Sequence, residues 1–162
     1  MITAGRLIIT AAILLFTLSA VAASPMIFVV RHAEKAADGN DPDLSAAGQQ
    51  RAEGLARIVK DAEITAIFTT EFKRTQETAA STAKATQITP TIVPANDISG
   101  LVEKLRSLKG NALIVAHGNT IPDLVKALGT EASVNIPENV YNELIVIILS
   151  DKPQLLRLHY PL

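Results

Sequence analysis

The chain has 162 residues, of which 48% are hydrophobic and only 4% aromatic, so the sequence predicts one domain whose core is mainly Ala, Leu, Ile and Val. It contains no cysteine, which excludes thiol nucleophiles, cysteine-ligated zinc, iron–sulfur clusters and disulfides. A net charge of −1 without any Lys/Arg run gives no sign of nucleic-acid binding. The composition favours a protein that acts on a small molecule or on one chemical group of a larger molecule.

The N-terminus carries a targeting signal. A basic residue precedes the apolar run Leu7–Phe16, and small residues follow as far as Ala22 and Ala23. This pattern predicts a signal peptide over 1–23, cleaved after either alanine, and a domain over 24–162. We therefore expect export, most simply to the periplasm. The alternatives are an uncleaved inner-membrane anchor, since the apolar stretch is at the lower edge of the roughly 17–25 residues that span a bilayer, or a buried first helix.

The remaining chain alternates between short apolar runs and amphipathic segments. In chain order the pattern predicts a strand at Met26–Val30, a helix from Ser45 to about Lys60, a strand at Ile64–Thr69, a helix at Lys73–Ala85, a strand at Thr91–Val93, a helix at Ile98–Leu108, a strand at Ala112–Ala116, a helix at Thr120–Leu128, and strands at Leu144–Leu149 and Leu155–His159. Ser45 and Asp97 are the predicted N-caps of the first and third helices. The alternation predicts a three-layer α/β/α sandwich with a mostly parallel central sheet and an antiparallel edge.

Cationic and imidazole side chains follow three of these strands. Arg31 and His32 end the first strand, Arg74 follows the second, and His117 ends the fourth. In an open parallel sheet, ligands bind at the carboxyl ends of strands, so these residues should share one site. Arginine forks suit phosphate oxygens, and a neutral histidine could attack phosphorus while a second one binds the equatorial oxygens. The pattern indicates phosphoryl transfer. The competing hypothesis is a metal-dependent hydrolase in which His32, Glu34 and His117 are zinc ligands.

Four segments carry a family resemblance. VVRHAEK, LSAAGQQRAEGLA, FTTEFKRTQETA and VAHGNT, over roughly positions 26–128, resemble in order the motifs of the histidine phosphatase superfamily, the phosphoglycerate-mutase-like proteins, in a compact, exported bacterial form. The resemblance implies the phosphoglycerate-mutase-like fold and catalysis without metal or other cofactor.

The resemblance also implies roles for individual residues. His32 would be the nucleophile that becomes phosphohistidine, and Arg31, Arg74 and His117 would complete the phosphate pocket. Asn119 would either touch the substrate or cap the helix that it precedes.

The sequence departs from the family pattern at three places. Ala33 stands where the family usually has glycine. Thr70 and Glu71 replace a usual Ser-Pro, which we interpret as a change in the turn rather than in the chemistry. No motif fixes the general acid, for which Glu34, Asp97 or neither remain open. The alternative for Glu34 is a structural role as the partner of Arg31 or Lys35.

We therefore expect a histidine acid phosphatase-type enzyme that hydrolyses a phosphomonoester or phosphohistidine without a metal. Its substrate would be a phosphorylated small molecule, an envelope glycan or a phosphoprotein. Nucleic acid is not an expected partner, and the membrane is one only through an uncleaved leader. The alternatives are a non-catalytic phosphate-binding module of the same fold, the metal-dependent hydrolase above, and a phosphoglycerate mutase.

Overall fold

Six strands and four helices alternate along the part of the chain that the computed structural model describes, residues 24–36 and 39–161. The elements are β1 (Met26–Arg31), α1 (Ala46–Ile58), β2 (Ile64–Thr69), α2 (Lys73–Thr86), β3 (Thr91–Ile92), α3 (Ile98–Ser107), β4 (Asn111–Ala116), α4 (Ile121–Ala127), β5 (Glu143–Ile148) and β6 (Gln154–His159). The predicted signal peptide lies outside the described residues. Within them, no helix is long and apolar enough to cross a membrane.

The strands form one sheet in the order β3-β2-β4-β1-β5-β6. β1, β2, β3 and β4 are parallel, whereas β5 runs antiparallel to β1 and β6 antiparallel to β5. The predicted mostly parallel sheet with an antiparallel edge is confirmed. In the central pair, Arg31 of β1 lies beside Ala116 of β4, and the His32 amide donates to the Ala116 carbonyl at 2.9 Å. This register brings the residues that follow both strands to the same place.

Side chains on the two sheet faces bury two separate helical layers, because successive residues of a strand point to opposite sides. Ile27 and Val29 of β1 pack in a cluster with residues of α3 and α4. Phe28 and Val30 pack in a second cluster that includes Leu55 of α1 and residues of α2. The predicted three-layer sandwich is therefore confirmed.

Helix capping follows the sequence at two helices and departs from it at a third. The Ser45 hydroxyl accepts from the Gly48 amide at 3.1 Å, and Asp97 accepts from the Gly100 amide at 2.9 Å, so both predicted caps are confirmed. The residue at the N-cap of α4 is Thr120. The alternative in which Asn119 caps that helix is wrong, because the helix begins one residue later than that interpretation required.

Candidate active site

Two imidazole rings meet at the carboxyl ends of β1 and β4. The ring centroids of His32 and His117 are 5.5 Å apart, and both residues are buried. The Nδ1 atom of His32 lies 2.8 Å from the Ala33 carbonyl oxygen. Because a carbonyl can only accept, Nδ1 carries the proton and donates it. The lone pair of His32 is therefore on Nε2, as an attacking nucleophile requires.

Both histidines are held neutral. Burial is the main cause that lowers the pKa of His32 to about 4, and Arg31 and His117 act in the same direction. Burial also lowers the pKa of His117 to about 4, assisted by the charge of Arg74. Near neutral pH, His32 therefore has an unprotonated nitrogen without the need for a neighbouring base.

Arg31 joins this site to the loop that follows α4. Its Nη1 donates to the carbonyl oxygens of Pro137 at 3.0 Å and of Glu138, and its guanidinium lies 4.4 Å from the ring centroid of Tyr141. The buried Nε of Arg31 has no hydrogen-bond partner among the described residues. One edge of the guanidinium thus fixes the loop that follows α4, while the buried Nε keeps an unused donor.

Arg74 lies beside the second histidine. Its Nη2 is 3.5 Å from Nδ1 of His117, and its guanidinium lies 4.3 Å from the Phe72 ring centroid. Its Nη1 is 3.8 Å from a carboxylate oxygen of Asp41, which also accepts from the Lys73 amide at 2.9 Å. An acidic side chain of the loop before α1 thus reaches the start of α2 and competes for this cation.

All four residues face one open cleft with a volume of about 540 Å³. Its lining consists of Arg31, His32, Arg74, His117, Gly118, Asn119, Pro122, Asn135, Ile136 and Glu138. Asn119 is exposed in this lining, where a substrate could reach its amide. The structure therefore brings together five of the residues that the sequence singled out: Arg31, His32, Arg74, His117 and Asn119.

Glu34 is bound to a different partner from those that the sequence suggested. Arg51 of α1 donates to its carboxylate through Nε at 2.9 Å and Nη2 at 2.6 Å. Burial raises the pKa of Glu34, but the hydrogen bonds from Arg51 outweigh it and hold that pKa below its ordinary value. A general acid needs a raised pKa, so this environment favours the structural role for Glu34, with Arg51 as its partner.

Gly48 explains how α1 comes so close to this segment. A Cβ atom at Gly48 would lie 2.2 Å from the Glu34 carbonyl oxygen, which is impossible without a backbone shift. The glycine in LSAAGQQ therefore lets α1 dock directly against the loop that carries His32.

Asp97, the other carboxylate considered as the acid, caps α3. Its oxygen accepts from the Gly100 amide, and it lines a separate small cavity beneath the sheet edge with Val93 and Leu101. It does not line the histidine cleft.

Several residues around the histidines were not predicted from the sequence. Thr70 lies 3.0 Å from Nε2 of His117, and the rings of Phe72 and Tyr141 flank His117 and His32 at 5.3 and 6.1 Å. Thr70 and Phe72 belong to the quoted segment FTTEFKRTQETA. A polar and an aromatic residue shortly before Arg74 were the available signal in the sequence. The loop that contributes Glu138 has no periodicity to mark it.

The competing metal site has no structural counterpart in the described part of the chain. There, no three side chains of His, Cys, Asp or Glu are grouped to hold a metal ion, the trio His32, Glu34 and His117 included. Two guanidiniums in the same cleft would also repel a divalent cation.

A three-layer sandwich that holds two imidazoles and two guanidiniums in one cleft is suited to binding phosphoryl groups. Residues 27–96 match the sequence model described as the histidine phosphatase superfamily (branch 1). The family resemblance expected from the motifs is therefore confirmed over β1 to β3. His117 lies beyond the matched residues and joins the site through the register of β4.

Solved structures share the fold over most of the chain. The protein histidine phosphatase SixA, solved with tungstate, has a TM-score of 0.71 at 16% identity, covering 83% of this chain and 96% of that one. The alpha-ribazole phosphatase from Shigella flexneri has a TM-score of 0.68 at 14% identity, covering 83% and 96%. The mycobacterial glucosyl-3-phosphoglycerate phosphatase has a TM-score of 0.66 at 14% identity, covering 85% and 100%. No curated protein matches the sequence.

Proposed function

We propose that this protein is a metal-independent phosphatase that works through a phosphohistidine intermediate on His32. The observation that carries the proposal is the single cleft lined by His32 and His117, whose ring centroids are 5.5 Å apart, and by Arg31 and Arg74. Positive charge surrounds a neutral nucleophile, which is the electrostatic arrangement that transfer of an anionic group requires.

The proposed reaction has two displacements. The phosphoryl oxygens bind to Arg31, Arg74 and His117, and Nε2 of His32 attacks phosphorus. The P–N bond forms as the bond to the leaving group breaks, and the leaving group takes up a proton. Water then attacks phosphorus, the P–N bond breaks, and inorganic phosphate leaves with His32 restored. The guanidiniums compensate the charge on the equatorial oxygens in both steps.

The environments of Glu34 and Asp97 bear on the substrate. One carboxylate is bound by Arg51 and the other caps α3, so neither offers an acid to the departing group. The substrate should then carry a stabilised leaving group, as an aryl phosphate or a phosphohistidine does. Phosphohistidine protonated on its other ring nitrogen leaves as neutral imidazole. The similarity in fold to the protein histidine phosphatase SixA agrees with this class.

The openness of the cleft leaves room for a phosphate attached to a larger molecule. We therefore extend the proposal to a phosphoprotein or an envelope glycan, beside small phosphorylated metabolites of the kind named for the other similar structures.

The deciding experiment is hydrolysis of an activated aryl phosphate by the full chain in EDTA. Wild type should turn over, His32→Ala should lose at least about a thousandfold, and His159→Ala on the exposed strand β6 should match wild type. If the phosphoryl group of the substrate is labelled, a rapid quench should also trap this label on the wild-type protein. The bond that holds it should be stable in alkali and labile in acid. Loss of activity in EDTA, or equal activity of His32→Ala and wild type, would contradict the mechanism. Phosphate binding without turnover would identify a binding module instead.

We also propose that the N-terminal segment directs export to the periplasm. Its support is the basic, apolar and small-residue order of positions 1–23. Fractionation of cells and the mass of the mature N-terminus test this proposal. A chain that begins after Ala22 or Ala23 in the periplasmic fraction is expected. A full-length chain in the membrane fraction would indicate the anchor.

A further inference from the structure

Two buried threonines form a hydrogen-bonded chain behind His117. Thr70 and Thr75 are 7% and 0% exposed. The Thr70 hydroxyl lies 3.0 Å from Nε2 of His117 on one side and 3.0 Å from the Thr75 hydroxyl on the other. The Thr75 hydroxyl in turn lies 2.8 Å from the Phe72 carbonyl oxygen. Burial keeps solvent from supplying other partners to these hydroxyls.

Counting protons along this chain fixes its direction. A carbonyl only accepts, so the single hydroxyl proton of Thr75 is donated to Phe72. The hydrogen bond between the two threonines must then use the proton of Thr70. With its own proton committed, Thr70 can only accept from His117. Neutral His117 therefore carries its proton on Nε2, and its Nδ1 is bare.

The bare nitrogen faces the cleft. Nδ1 of His117 lies 3.5 Å from Nη2 of Arg74, which can donate to it. The oxygens of a phosphoryl dianion carry no proton and can likewise only accept. A hydrogen bond from Nδ1 to such an oxygen requires that Nδ1 first gain a proton.

We propose that Thr70 is a positioning residue that holds His117 in its Nε2–H form, so that His117 engages a phosphoryl group only after taking up one proton at Nδ1. The phosphoryl ligand is the part of this inference that rests on the proposed function. The proton comes from solvent or from a monoanionic substrate, and the imidazolium then donates to Thr70 and to the phosphoryl oxygen together.

The charges that face His117 give this uptake its direction. Arg74 of α2 and Arg31 of β1 lower the pKa of His117, while Glu71 in the turn before α2 raises it. His32, directly after β1, is a further titratable neighbour, with its ring 5.5 Å away. The free site therefore opposes proton uptake, and a bound dianion reverses that balance.

Nitrogen-15 NMR of the histidine rings in the full chain tests the inference without any substrate. The chain has only three histidines, so single His→Gln variants assign the signals. At neutral pH, wild type should show His117 protonated on Nε2 alone. Thr75→Val should move part of that proton population to Nδ1, because the Thr70 hydroxyl is then free to donate to Nε2, whereas Arg74 still favours a bare Nδ1. Thr75→Ser should restore the wild-type form.

A matched control lies on the same helix. Thr82 is also buried, at 1% exposure, and its hydroxyl has no partner in the described structure. Thr82→Val should therefore leave the His117 signals unchanged. A wild-type proton on Nδ1, or a Thr75→Val spectrum identical to that of wild type, would overturn the inference.

The phosphoryl step is tested by adding inorganic phosphate to the same samples. In wild type, both nitrogens of His117 should become protonated. Thr70→Val removes the acceptor of Nε2–H and should bind phosphate with neutral, Nδ1-protonated His117, whereas Thr70→Ser should behave like wild type. Phosphate bound to wild type with His117 still neutral would overturn the proton uptake. Failure of the proposed function would appear instead as a catalytically silent wild type with these tautomers intact.

Discussion

The carboxylate of Glu34 is bound by the guanidinium of Arg51 at 2.6 to 2.9 Å, two residues after the proposed nucleophile. This pair links the loop that carries His32 to α1. Because the side chains of Arg51 and Glu34 are only 10% and 22% exposed, water compensates little for the loss of either partner. The pair fastens the loop that carries His32 to the helical layer.

Glu34→Gln should therefore lower stability more than catalysis. Leaving Arg51 without its counter-charge should cost about 1–3 kcal/mol in the free energy of unfolding, measured by urea denaturation. The contribution of the Glu34 carboxylate to the free energy of unfolding should be fully present above the ordinary pKa of Glu34. It should disappear as the pH falls, since the pKa of Glu34 is lowered in the folded protein. Glu53→Gln removes an exposed ion pair on the same helix and should cost less than about 1 kcal/mol. A loss of kcat in Glu34→Gln confined to poor leaving groups would restore the acid role.

Gly48→Ala should destabilise the protein although helix propensity alone favours alanine by about 1 kcal/mol. The added methyl would meet the Glu34 carbonyl, so either α1 or the His32 loop must shift. The free energy of unfolding measured in urea and kcat/KM for an aryl phosphate should both fall. Ala47→Gly, at an exposed neighbouring position, controls for propensity and should cost about 1 kcal/mol without affecting kcat/KM. A more stable Gly48→Ala protein would contradict the close approach.

The two buried histidines should make the free energy of unfolding depend on pH. Burial lowers the pKa of His32 and of His117 from 6.5 to about 4, so between these values the unfolded chain binds more protons. The free energy of unfolding should be fully developed above pH 6.5 and fall towards pH 4, by up to about 1.4 kcal/mol per pH unit for each histidine. Urea denaturation at several pH values across this range should show that the free energy of unfolding changes less steeply with pH in His32→Gln and in His117→Gln than in wild type. His159→Gln reports the effect of losing a histidine outside the cleft, and equal slopes in all three variants would contradict the assignment.

Asp41 should weaken anion binding at Arg74. Its carboxylate is 3.8 Å from Nη1 of Arg74, and Asp41→Asn keeps an oxygen for the Lys73 amide while it removes the charge. Inorganic phosphate, measured by calorimetry, should bind about two- to fivefold more tightly, the scale of one partly exposed ion pair. Asp43→Asn is the matched control, because Asp43 pairs with Lys73 instead. Equal effects from both variants would point to general charge rather than competition at Arg74.

Strand ends were predictable from the sequence because they depend on local pattern and on one rule of sheet geometry. The apolar runs before His32 and His117 predicted buried strands, and the parallel register of Arg31 with Ala116 confirms that they end side by side. Ser45 and Asp97 act through contacts three residues away, so their capping could also be predicted.

Contacts across the fold were not accessible in the same way. Arg51 is the partner of Glu34 only because α1 docks against the loop that carries His32. The sequence suggested the nearer cations Arg31 and Lys35 instead. The hydroxyl of Thr70 gains its role from burial against His117, which a substitution in a turn motif does not reveal. The loop at Glu138 reaches the cleft through backbone carbonyls held by Arg31, and carbonyls leave no mark in a sequence.

The leaving group should control the rate of the proposed phosphatase. With Glu34 and Asp97 engaged elsewhere, kcat/KM for a series of phosphate monoesters should fall steeply as the pKa of the leaving group rises. An alkyl phosphate should then react at least about a hundredfold more slowly than an activated aryl phosphate, the usual contribution of a general acid. Similar rates for the two substrates would mean that another carboxylate donates the proton. The candidates would be Glu71, whose charge raises the pKa of His117, and Glu138, which lines the cleft. Glu71→Gln and Glu138→Gln would distinguish them, since only the acid's variant should lose the alkyl substrate selectively.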